Sequence, residues 1–159
     1  MSPLNMADAA VAIRSFPRRY LEVVSGPVGD DAWERLVRTV GPEGRSAIGF
    51  VAHVTELLTV LGTAIAALPV QTQPSVNVAS LESKYSEPAS SVTISMATDA
   101  LRSAADRAAT AVEGRSHNEF ERSCSVDGHN VNAREFVERI VKASVAHLKD
   151  SEAAVDAAR

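Results

Sequence analysis

His53 and Glu56 stand three residues apart in the run SAIGFVAHVTELLTVLGTAIAALPV, residues 46–70. Three residues carry an α-helix through a little less than one revolution, so the two side chains share a face. An imidazole and a carboxylate so placed can serve as a metal ligand with a second oxygen donor or a base beside it. A third candidate, His147, belongs to the last apolar segment. Helical spacing back from it meets Ala143, Ile140 and Phe136, which puts His147 near that segment's inner stripe. One histidine from each of two long helices then points into a common core, and imidazole is a common ligand for zinc, nickel and iron. His53 and His147 are the candidate metal ligands and Glu56 the candidate catalytic residue. The plainer alternative is a pair of hydrogen-bonded core histidines, with Glu56 looking outward along a stripe shared with Thr59 and Thr63.

Other reactive side chains read as structural. Cys124 alternates with Phe120, Arg122 and Val126 on one side of an extended stretch, the pattern of a small buried hydrophobe. Arg122 could lower its pKa, but no base or oxyanion donor is marked beside it. His117 and His129 flank a turn and read as solvated residues. Trp33 and the arginines Arg14, Arg18 and Arg19 read as packing and surface contacts. The chain has no glycine-rich phosphate loop, nucleophile elbow or Cys-Cys zinc pattern.

The elements that must position these residues are helical. A content of 4% aromatics in an alanine-rich chain favours close-packed helices over a β-sandwich. The segment ADAAVAIRSFPRRYLEVVSG carries an apolar face, with Pro17 set to kink or split it and Gly26-Pro27 ending it. DDAWERLV forms a short helix capped by Asp30. Ser46 caps the long apolar helix, which stops before Pro69. Residues 69–91 form a long crossover with a turn of helix around LESKY. A helix over 92–113, capped by Ser90 or Ser91, ends at Gly114. NEFERSCSVDGHNVNAREF then makes a short extended excursion or hairpin about Asp127-Gly128. Asn132, with Glu135 in a capping box, opens the last helix, which frays beyond Asp150. The sum is an all-α four-helix bundle in a single domain, residues 1–159, with a long crossover loop and a short hairpin excursion before the last helix.

Charge and composition narrow the partners. Sixteen Lys and Arg against twenty Asp and Glu, with no basic block, argue against nucleic acid. The 46–70 run is roughly long enough to cross a bilayer, but His53 and Glu56 would sit at depth and no second such segment pairs with it, so a core helix is the expectation and no membrane is. The N-terminus MSPLNMADAAVAIRSF has no signal-peptide pattern, and one cysteine forms no intrachain disulfide; both fit the cytoplasm.

IRSFPRRY, WERLV followed by SAIGFVAHVTELL, and the VDG turn before a histidine-bearing last helix resemble the DinB-like superfamily, within it the group related to mycothiol-dependent maleylpyruvate isomerases. The resemblance spans nearly the whole chain. It implies a four-helix bundle, often a homodimer, with a divalent-metal site made by one histidine of the second helix and a His-or-Glu, three residues, His pair on the last. His53 matches the first of these and His147 the final one, while Ala143 stands where the remaining ligand would be. The implied activity is a metal-assisted transferase or isomerase using a low-molecular-weight thiol, or a hydrolase, acting on a small molecule. Glu56, the thiol's own sulfur or a loop histidine would have to complete the shell. The alternative is a non-catalytic module that binds a small molecule or dimerises, its metal site decayed at Ala143.

Overall fold

The computed structural model describes residues 4–27, 29–83 and 87–159. Its elements in chain order are α1 (Met6–Val24), α2 (Asp31–Val37), α3 (Ala47–Ala67), β1 (Ser75–Val76), α4 (Ala79–Ser83), α5 (Ile94–Glu113), α6 (His117–Phe120), β2 (Ser123–Val126), β3 (His129–Asn132) and α7 (Ala133–Ala158). The four long helices α1, α3, α5 and α7 form the expected bundle, with α1 and α3 each packed against both α5 and α7. On α3 the Ser46 side chain caps the helix by accepting the Gly49 N–H, and Leu57, Leu58, Leu61 and Ile65 are fully enclosed. α3 is long and apolar enough to cross a membrane, yet here most of it is covered by the other three helices.

Side-chain contacts fix the directions. Leu4 N–H donates to Glu138 and the Tyr20 hydroxyl to the Ser144 carbonyl, so α1 and α7 run parallel. Arg14 reaches Asp106 and Glu113 while Leu21 lies by Thr98, so α1 and α5 are antiparallel. His53 meets His147, and Arg122, just before α7, donates to the Leu68 carbonyl at the end of α3. α3 therefore opposes α7, and the neighbours α3 and α5 are parallel. They approach closely: a Cβ on Gly62 would stand 3.3 Å from the Ala108 Cα. Parallel neighbours need a return connection, and residues 68–93 supply it. The crossover opens at the α3 C-terminus, where β1 pairs in parallel with β2. It later reaches the α3 N-terminus, where Glu87 accepts from Ser46 N–H (2.8 Å) and Ser46 Oγ (2.6 Å).

The hairpin β2–β3 turns at Asp127 (φ 53°) and Gly128 (φ 82°), the left-handed pair that a two-residue turn requires. Five expectations are corrected in detail. Pro17 lies inside one continuous α1 instead of splitting it. Thr93, neither Ser90 nor Ser91, caps α5, its side chain accepting the Met96 N–H. β1 adds a strand that sequence alternation over two residues could not reveal. Phe120 closes the short helix α6 and does not belong to the extended stretch. α7 runs on to Ala158 with Ser151, Ala154 and Val155 buried, because α2 packs across its last turns. The expected turn of helix around LESKY is met by α4, Ala79–Ser83, and Lys84 and Tyr85 lie outside the described residues.

Candidate functional site

α3 and α7 bring His53 and His147 together. Their ring centres are 4.9 Å apart with planes at 78°, an edge-to-face contact. His53 is 1% exposed, and the His147 side chain 15%. Phe50, one turn before His53, sets its ring 5.5 Å from that of His147, and the Arg45 guanidinium lies 5.9 Å over Phe50. A continuous stack of Arg45, Phe50, His147 and His53 thus lines the α3–α7 seam. On the far side of His147, Asp150 Oδ2 is 3.5 Å from Nδ1. The His-x-x-Asp spacing that sets up this pair is visible in the sequence, although only the structure singles it out.

Tyr20 lies in the neighbouring α1–α7 seam. Its hydroxyl donates to the Ser144 carbonyl at 2.5 Å, and burial pushes the phenol well above its ordinary pKa, with the Asp150 charge adding to the rise and Arg19 opposing it. Glu56 is different. It is exposed on the outer side of α3, since a three-residue step leaves it some 60° round the helix from His53. Among the described residues, no three His, Cys, Asp or Glu side chains gather to hold a metal ion, so Glu56 does not join the two imidazoles. His117 and His129 are exposed, at the other end of the bundle. Cys124 is fully buried on β2, and burial raises its thiol pKa, the opposite of an activated nucleophile.

The donor set can be tested against a metal ion. With each nitrogen about 2.1 Å from a shared ion, imidazole ring centres lie about 3.3 Å from it and about 5.4 Å from each other at a tetrahedral angle. The observed 4.9 Å is close to that spacing, so the two imidazoles suit two corners of one shell. Ala143, half-buried one turn before His147, offers no donor for a third. A tight catalytic site takes three protein ligands and leaves one position open. Among the described residues the set stops at two ligands, one short of the shell of a resident catalytic ion.

No family model matches the sequence, and no curated protein sequence matches it. Among solved structures, YfiT from Bacillus subtilis, described as a probable metal-dependent hydrolase with an unusual four-helix bundle topology, is similar to this chain with a TM-score of 0.73. The match covers 93% of this chain and 84% of that one at 14% identity. The chain therefore has the same four-helix-bundle fold as that structure. At that identity the likeness is one of fold, and the roles of the side chains rest on their own geometry.

Proposed function

We propose that this protein binds a small molecule at the His53–His147 pair, and that a divalent ion enters only as part of that complex. The observation that carries the reading is the meeting of two imidazoles from α3 and α7 at near-coordination spacing, with no third His, Cys, Asp or Glu gathered with them among the described residues. A ligand bearing its own thiolate or oxygen donor would complete the shell, and a low-molecular-weight thiol is the simplest such ligand. The fold it shares with a probable metal-dependent hydrolase supports a metal-assisted hydrolysis, while a thiol-dependent transfer or isomerisation rests on the sequence resemblance alone. Asp150, against His147 Nδ1, would hold that ring with Nε2 turned to the ion, as carboxylates do behind metal-bound histidines. The lone, buried Cys124 suits a reducing cytoplasm. A second reading, favoured by Ala143 itself, is a non-catalytic binding module in which the two histidines contact the ligand directly.

Elemental analysis of tag-free protein decides between them. Wild type and His53→Ala are dialysed against zinc, nickel or iron(II), with and without a small thiol such as cysteine. Uptake near one equivalent that requires both the thiol and His53 supports the ternary site. Uptake without thiol would show that another donor completes the shell. No uptake under either condition would sink the metal reading and leave the binding module.

A further inference from the structure

We propose a second ligand site, for a small carboxylate with an apolar body, in the cavity of about 630 Å³ between the start of α1, the end of α5 and the start of α7. It lies at the bundle end away from the histidine pair, where α1 and α7 begin. Arg115, His117 and Arg134 line one wall, and Val11, Val112 and Phe120 another.

The basic wall has more donors than acceptors. Arg115 approaches Glu119 only to 3.5 Å and Arg134 approaches Glu121 only to 3.6 Å, both longer than a charge-assisted hydrogen bond. A second nitrogen of Arg134 faces His117 Nδ1 at 3.3 Å, and Arg115 Nε is buried with no hydrogen-bond partner among the described residues. Two of the nearby carboxylates also have other partners. Glu113, which also lines the cavity, is held by Arg14 at 2.5 Å. Glu119 accepts the Ser116 N–H at 2.9 Å, a bond that keeps its pKa low. Two guanidinium forks so placed, without a bidentate acceptor, match a carboxylate better than any neutral group.

The apolar wall selects among anions. Val11 is 69% exposed at the cavity and offers apolar surface to a ligand there. Val112 and Phe120 lie behind it, buried. An apolar cleft closed by a few polar groups is the usual form of a small-molecule site. Inorganic phosphate would meet the arginines and leave Val11 wet. A medium-chain or aryl monocarboxylate covers both walls.

Titration calorimetry of the full chain tests this with octanoate, with 1-octanol as body without charge, and with inorganic phosphate as charge without body. Octanoate is expected to bind saturably at one site, with both controls weaker by at least about tenfold. Arg134→Gln and Arg115→Gln should each weaken octanoate by about tenfold or more, the loss of a charged fork. Val11→Asp, on an exposed position where folding is not at stake, should abolish it. His53→Ala should leave it unchanged, which separates this site from the histidine centre. Absence of saturable octanoate binding would overturn the proposal. So would phosphate binding as tightly as octanoate, or octanoate affinity unmoved in Val11→Asp and in those arginine variants that fold.

Discussion

Replacing Tyr20 by Phe should weaken the protein at neutral pH and strengthen it at high pH. The hydroxyl makes a 2.5 Å hydrogen bond to the Ser144 carbonyl inside the α1–α7 seam, and Tyr20 is 0% exposed. Losing one buried hydrogen bond costs about 1 kcal/mol net. The folded-state pKa is raised by burial from an ordinary value of 10.0, so the folded chain holds the proton that the unfolded chain gives up. A raised folded pKa contributes stability that is intact below the unfolded value and declines as pH climbs from there towards the folded value. For one such group the loss is RT ln(1 + 10^(pH − 10)), about 0.4 kcal/mol at pH 10 and about 1.4 kcal/mol at pH 11. Phenylalanine pays none of this. The two stability curves should therefore cross at about pH 10.7, with wild type ahead below and Tyr20→Phe ahead above. Urea denaturation followed by circular dichroism at half-unit steps from pH 7 to pH 11 measures the difference directly. Groups common to both proteins, Tyr85 among them, cancel in it. A difference that stays constant with pH would refute the reasoning, because it would mean that the phenol ionises as readily folded as unfolded.

Two further outcomes follow from local contacts. Cys124, fully buried with its thiol pKa raised, should react with a water-soluble disulfide reagent at neutral pH at least about a hundredfold more slowly than in denaturing urea; labelling at the free-thiol rate would place it at the surface. Asn132→Ala removes the side-chain acceptor 2.8 Å from the Glu135 N–H and should cost about 1 kcal/mol, a fall of about 2–4 °C in Tm by calorimetry, with no change meaning that α7 is held from its packed face alone.

Much of the bundle is legible in the residues, for reasons that also explain the misses. Ser46 ahead of an unbroken apolar run announces α3 because cap and core burial point the same way. The Asp127-Gly128 turn is legible because few residue pairs accept two left-handed conformations. The end of α7 was hidden by its chemistry: Ser151 and Ala154 are too small to mark an apolar face, yet α2 covers them. β1 has two residues and owes its existence to β2, far along the chain. α6 was readable in principle, since Ser116 and Glu119 form a complete capping box, but a four-residue helix gives no periodicity to support it. The meeting of His53 with His147 follows from two inner stripes facing each other. The outward turn of Glu56 depends on how far the neighbouring helices wrap α3, which spacing alone leaves open.

The parallel pairing of neighbours has an electrical side. Each helix carries about half a positive charge at its N-terminus and half a negative one at its C-terminus. In a bundle of alternating directions these charges are interleaved at each end and largely cancel. Here α1 and α7 start together at one end, and α3 and α5 start together at the other, so each end is divided into a positive half and a negative half. Side chains already follow the division: the Glu87 carboxylate accepts the N–H of Ser46, the residue that caps the start of α3, and the Arg122 guanidinium donates to the Leu68 carbonyl at its end. The crossover that permits this topology thus leaves the molecule with a transverse field at each end, and the sign of an approaching ion decides which corner of the bundle it reaches first.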